Sequence, residues 1–409
     1  MFNRSSSHSI ARHSVWIAVL TAMAFVEVRL AGAQAQTPET TDQGSTPYGR
    51  WTNGVSDDPE FFPIAVWLQA PKNAKRYRDA GINLYVGLYR GPTEEQLRVL
   101  DEAGMETICS QNGVGLNSEF SDVIVGWMHG DEPDNAQARR DGKGYGPPIE
   151  PQVIVENYER LRAADPTRPI FLNLGQGVAY DNYIGRGVRR NHLEDYPEYI
   201  KGCDIVSFDI YPVVHRKEQI AGKLEYVPKG VERLRRWADP KQIVWNCIEC
   251  SRISNTEVKP TAEQVRSEVW MSLIHGSQGI IYFVHQFEPR FREASLLDDP
   301  ELLAGVTAIN RQIRQLAPVL NSPTVDDVMQ VVSEPEDASI KTLCKRHGGK
   351  EYVFAVNLQN RDVNATFQLT PSTSVSDVDV LGEERTLRIN DGQFQDAFGG
   401  YGVHLYRIR

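Results

Sequence analysis

Two apolar runs in this chain stop on carboxylates. The first is Ile124-Val125-Gly126-Trp127-Met128-His129-Gly130, followed by Asp131-Glu132-Pro133-Asp134. The second is Ile243-Val244-Trp245-Asn246-Cys247-Ile248, ending on Glu249. A carboxyl beside another acid and beside apolar walls keeps its proton to a higher pH than usual, which suits a proton donor. The bland reading of Asp131 to Asp134 is a solvated loop with helix-capping acids. A Glu closing an apolar strand is harder to dismiss, because a buried carboxylate is costly unless paired. Two carboxyls flanking one bond, one protonating the leaving oxygen while the other attacks or activates water, are what glycoside hydrolysis requires.

Such a pair needs a scaffold that brings residues more than a hundred positions apart to one cleft. Strand-like runs recur at Phe62–Trp67, Asn83–Leu88, Glu106–Ser110, Ile124–His129, Ile170–Asn173, Ile205–Tyr211, Ile243–Ile248 and Gly279–Phe283. They are short, rich in β-branched and aromatic residues, and several are apolar on both faces, as strands of a buried parallel sheet are. Helical stretches alternate with them: Thr93 to Ala103 stopped by Gly104, Glu150 to Ala164, Val227 to Ala238, Thr261 to His275, and Leu302 to Leu316. The crossover Asn112 to Asp122 is too short for a full helix. Eight strands with crossovers predict an α/β fold, a (β/α)8 TIM barrel over residues 58–321. No Gly-rich phosphate turn follows the first run, which argues against a doubly wound nucleotide fold. Beyond Asn321-Ser-Pro323 the period changes to two, at Glu351–Val356, Asn364–Leu369, Val378–Leu381, Arg385–Ile389 and Val403–Ile408, with Asn390-Asp391-Gly392 as a turn. Residues 322–409 therefore predict a small all-β sandwich.

In such barrels the chemistry sits where strands end. Strands four and seven face each other across the mouth, so Glu132 and Glu249 are the candidate catalytic pair. Asp131, Trp67, Asn173, Asp209, Tyr211, Tyr282 and His285 are the candidate substrate-binding residues. Trp127 lies inside its run and reads as core. His129 and His215 lack metal-ligand spacing, and neither metal nor cofactor is signalled.

The pattern resembles the clan A glycoside hydrolases, the (β/α)8 retaining glycosidases that include the family 42 β-galactosidases and the family 5 cellulases. The resemblance implies Glu132 as acid/base and Glu249 as nucleophile in a two-carboxylate double displacement. It also implies an aromatic strand end at Tyr282-Phe283 and a β-sandwich after the barrel. The clan usually carries Asn before its acid/base, where this chain has Asp131. That Asp-Glu pair is similar instead to substrate-assisted hexosaminidases, in which Asp orients an N-acetyl nucleophile and Glu is the acid. A decayed barrel that binds carbohydrate without cleaving it is the third expectation.

The composition agrees. The chain has 409 residues, 41% hydrophobic and 24% charged, with a net charge of −10. An acidic chain lacks the cationic face that nucleic acid needs, and the resemblance to glycosidases implies an oligo- or polysaccharide as the partner. Arg4 and Arg12, the apolar run Val15 to Val26, and Ala31, Ala33 and Ala35 make the pattern of a signal peptide over residues 1–35. Residues 36–57 read as a linker. A run of 12 residues is too short to span a bilayer that needs ~20. The expectation is an exported protein, periplasmic or extracellular, with no stable membrane insertion. Cys109, Cys203, Cys247 and Cys250 read as buried thiols, and the Cys247/Cys250 spacing leaves one disulfide open. Arg189, Arg190 and His192 read as a solvated loop or as contacts to an acidic polysaccharide.

Overall fold

A computed structural model describes residues 46–326, 328–370 and 376–409. The proposed leader and the first part of the proposed linker lie outside these residues. All eight apolar runs become parallel strands: β1 (Ile64–Trp67), β2 (Leu84–Val86), β3 (Glu106–Cys109), β4 (Ile124–Met128), β5 (Ile170–Leu174), β6 (Ile205–Phe208), the split strand β7 (Ile243–Val244) and β8 (Asn246–Glu249), and β9 (Ile280–Phe283). They pair in the order β7-β6-β5-β4-β3-β2-β1-β9-β8. The sheet's two ends, β7 and β8, are one stretch of chain interrupted at Trp245. Its first half bonds to β6 and its second half to β9, so the sheet closes on itself.

The crossovers are α1 (Ala74–Asp79), α2 (Glu94–Ala103), α3 (Gly113–Asn117), α4 (Pro151–Ala164), α5 (Asp195–Ile200), α6 (Tyr226–Trp237), α7 (Ala262–Ile274) and α8 (Pro300–Leu320). Their starts follow from capping. Thr93 with Gln96, and Thr261 with Gln264, form capping boxes, and Gly104 ends α2 at φ 60°. The weak third crossover is indeed short, a five-residue α3 and one 3-10 turn at Ser121–Val123. The six-residue α1 and α5 were not anticipated, because a stretch that short carries too few residues to show a period.

The interior is a layered apolar core that includes Ala65, Val86, Ile108, Val125, Phe171, Ile205, Trp245 and Ile281. Tyr48 and Val55 join it. Tyr48 donates to the carbonyl of Gln278 at 2.7 Å and accepts from Trp245 Nε1 at 2.8 Å. Residues 46–57 thus differ from the expected linker. Thr46, Tyr48 and Val55 are buried, and the segment plugs the barrel's interior with a satisfied aromatic pair. Trp245 fits its break because Gly279 has no side chain. A Cβ there would stand 2.6 Å from the indole. Gly279→Ala should therefore cost about 1–3 kcal/mol through overpacking, read as a lower denaturation midpoint at unchanged m-value. An unshifted midpoint would refute the packing argument.

The C-terminal strands form two antiparallel sheets. One joins β10 (Met329–Glu334), β13 (Val363–Leu369) and β16 (Gln393–Phe398). The other is ordered β11 (Ile340–His347), β12 (Lys350–Asn357), β17 (Val403–Ile408), β14 (Asp377–Val380) and β15 (Arg385–Arg388). Phe367 stacks on Phe394 at 4.7 Å in the core between them. The Asn390–Gln393 turn has Asp391 and Gly392 at φ 51° and 74°, the positive values a two-residue hairpin turn needs. The sandwich seats on α7, where Trp270 meets Phe354 at 5.1 Å and Ser267 donates to the carbonyl of Tyr401. All five cysteines are free thiols. Cys247 lies in the interior core and Cys250 in the outer one, so the pair is not bridged.

Candidate active site

The ends of β4 and β6 place an acid cluster in one cavity of about 900 Å³ at the strands' C-terminal ends. Asp131 and Glu132 follow β4, and Asp209 follows β6. Alternation along β6 explains the last. Ile205 and Ser207 face inward, Val206 and Phe208 face the helices, and Asp209 returns inward.

The carboxyls of Glu132 and Asp209 are within hydrogen-bonding contact. Glu132 Oε2 also accepts from Asn135 Nδ2 at 2.7 Å, and the residue sits at φ 43°. That left-handed conformation is a local strain of the kind that clusters at working sites. Asp131 accepts from Asn173 Nδ2 at 2.9 Å. Asn173 in turn accepts from Ser207 Oγ at 2.6 Å, so a polar layer braces the acids from below. Among the described residues no lysine or arginine lines the cavity. Burial first, and then the neighbouring Asp209, push Asp131 up to about 7 against the Asn173 hydrogen bond. The same two causes hold Glu132 well above the ordinary carboxylate range. Burial also raises Asp209, opposed by the Glu132 hydrogen bond and the nearby Tyr211 hydroxyl. One shared proton on two adjoining carboxyls is the expected state, because like charges this close do not both ionise.

Asp134 of the same run does other work. It is fully buried, accepting from Gly175 N at 2.9 Å and Tyr196 OH at 3.1 Å beside Arg186. It ties the loop after β4 to the loop after β5.

Trp67, Asp131, Glu132, Asp209, Tyr211 and His285 line the cavity as expected, and Asn173 lies directly beneath it. Two expectations fail. Glu249 is completely buried and absent from the cavity wall. Its oxygens accept from the backbone N–H groups of Val213 and Val214 at 2.6 and 3.0 Å, and its carboxyl meets that of Glu268 on α7. Strand alternation aims it inward, but two donors from the loop after β6 and the Glu268 partner turn it away. Burial raises both of these carboxyls, and among the described residues Glu268 has no hydrogen-bonding partner but Glu249. Tyr282 also faces away, donating to Asn310 of α8 at 2.8 Å.

Sequence reasoning missed Tyr183, Ile253, Phe287, Phe291 and Glu293 in the wall. All lie on loops, where no period marks a facing side. The one available signal was a pair of Phe residues four apart in the charged stretch His285 to Glu293. Trp127 is core, donating to Asp165 at 2.9 Å, and His129 bonds the carbonyl of Gly202. Arg189 pairs with Asp195 and His192 with Glu194, and neither they nor Arg190 line the cavity. Among the described residues no group of His, Cys, Asp and Glu is arranged to hold a metal, and no helix is long and apolar enough to cross a membrane.

No family model matches the chain, and no curated protein matches it in sequence. Solved structures do. An α-amylase from Geobacillus thermoleovorans, complexed with acarbose, is 10% identical with a TM-score of 0.52, covering 86% of this chain and 98% of its own. An Anoxybacillus α-amylase is likewise 10% identical at TM-score 0.52, covering 86% of this chain and 99% of its own. At such identity the likeness concerns architecture, and it establishes that the chain has the barrel-plus-β-domain fold found in glycoside hydrolases.

Proposed function

We propose that this chain hydrolyses O-glycosidic bonds, with Glu132 as the proton donor and Asp209 as its carboxylate partner. The observation that carries the reading is the contact of these two carboxyls in a cavity at the strands' C-terminal ends that no lysine or arginine among the described residues lines. Burial and the neighbouring Asp209 favour the protonated form of Glu132, which gives its proton to the leaving oxygen. Asp209 is left as the anion facing the positive charge that develops at the anomeric carbon. Substrate entering between the two must separate them, to about 5–5.5 Å for direct attack or roughly 6.5–9.5 Å for an intervening water.

A second reading is favoured by the contact itself. Glu132, Asp209 and Asp131 already stand together on one side, as substrate assistance requires. The acid then protonates while the neighbouring carboxylates orient an acylamino group of the sugar as nucleophile. Export, as the leader pattern suggests, would bring the enzyme to such glycans.

Mass-spectrometric product analysis over a panel of neutral and 2-acetamido glycosides tests both readings. Cleavage confined to 2-acetamido substrates selects the second. Binding without any product across the panel would leave a carbohydrate-binding barrel and defeat both.

A further inference from the structure

The cavity wall is of two unlike kinds, and Phe283 joins them, its ring 5.1 Å from that of Tyr211. Opposite in character to the acid cluster, part of the wall is built from Leu68, Ile253, Phe283, Phe287 and Phe291, none of which offers a hydrogen bond from its side chain. Phe287 and Phe291 follow β9 and are 48% and 62% exposed. With His285 between them they form one aromatic group, at centroid distances of 5.9–6.2 Å.

Hydrogen bonds and an ion pair within the chain hold this part of the wall. Gln286 and Arg292 exchange backbone hydrogen bonds at 2.9 and 2.8 Å. Phe287 N donates to the carbonyl of Ile253 at 2.6 Å, and Arg216 clamps Glu288 at 2.6 Å. Ile253 and Leu68 sit at φ 52° and 47°. A β-branched residue rarely adopts that conformation, so the backbone is strained to present an aliphatic side chain here. The same character spreads around the mouth. Tyr89, Tyr145, Ile184, Val188 and Val258, on other strand-to-helix connections, are also exposed. Of these, Tyr89 also lines the cavity, and exposed apolar and aromatic side chains grouped at a cavity mark a binding site.

The side chains of Leu68, Ile253, Phe283, Phe287 and Phe291 offer a sugar's hydroxyls no partner, whereas an apolar group against them would displace water from the rings. We infer that the substrate is a glycoside of an apolar aglycone without acidic groups, its sugar at the acid cluster and its aglycone against Ile253, Phe287 and Phe291. The sugar end of this assignment rests on the proposed glycosidase reading.

Calorimetric titration with methyl and octyl glycosides of glucose, galactose and N-acetylglucosamine, below micelle-forming concentrations, tests it. In at least one sugar the octyl compound should bind at least about tenfold tighter than the methyl one, a modest share of what seven added methylenes supply. Phe287→Ser and Phe291→Ser, both at exposed positions, should each reduce that ratio severalfold, with the larger loss on the octyl glycoside. Equal affinity within every pair, a preference untouched by either variant, or no binding of any octyl glycoside would overturn the inference. The readout needs no turnover. A preference without hydrolysis would sustain the apolar end and remove the glycosidase assignment, and hydrolysis without a preference would do the reverse.

Discussion

Glu132→Gln lowers kcat about a thousandfold on glycosides with poor leaving groups, within the range that a positioned general acid contributes. The same variant acts almost normally on nitrophenyl glycosides, because a weakly basic leaving group needs no proton. Gln keeps the volume and the hydrogen bond from Asn135, so the fold is held while the transferable proton is lost. The pH profile supplies a second readout. Glu132 is raised by burial and by the Asp209 charge, so the alkaline fall in activity should lie above the pH at which an ordinary carboxyl ionises. That alkaline fall should vanish in Glu132→Gln. Equal losses on both leaving-group classes would remove Glu132 from the proton-donor role.

The second large effect concerns the acid that left the site. Glu249→Ala strips the only side-chain acceptor from the Val213 and Val214 amides and leaves Glu268 alone in the interior. Each buried polar group left without its partner costs about 1–3 kcal/mol, so the total should reach several kcal/mol, measurable by denaturant titration. A cost under ~1 kcal/mol would show the network to be slack. Activity would fall too, since those amides follow Asp209 and Tyr211 by a few residues, but through unfolding and misplacement rather than lost chemistry.

Glu268→Gln behaves differently, because an amide can donate permanently to the Glu249 carboxylate. In the native protein Glu249 is raised to about 7 and Glu268 is raised as well, while unfolded carboxyls ionise near 4.3. The folded state therefore holds more protons than the unfolded one across that interval. The stability from these protonated groups is full below about pH 4.3 and is lost as pH rises through 7. Glu268→Gln should flatten this slope, with a Tm above the parent's at pH 8 and a converging one below pH 5. Parallel Tm curves for the two proteins would rule the shared proton out.

The barrel was legible because its strands are buried on both faces and therefore read as continuous apolar runs. Glu132, Asp131 and Asp209 were legible because strand ends in such a barrel define a mouth. Glu249 was not, although it obeys the same rule. Its orientation is set by two backbone amides 35 residues away and by Glu268 on the next helix, which no local pattern records. Tyr282 fails for a related reason: an aromatic at a strand end is equally at home facing a helix, where Asn310 satisfies its hydroxyl. Phe287, Phe291 and Ile253 were lost because loop residues carry no periodicity to show which side they face.

Tyr48 ties the amino-terminal stretch to the barrel's seam through Trp245 and Gln278. Shortening the polypeptide to residue 57 for expression, though it would delete only what looks like a tether, would strand a buried indole N–H and uncork the staves where they meet. Any trimmed version intended for crystallisation or engineering is best begun upstream of Thr46, leaving that stopper in its seat.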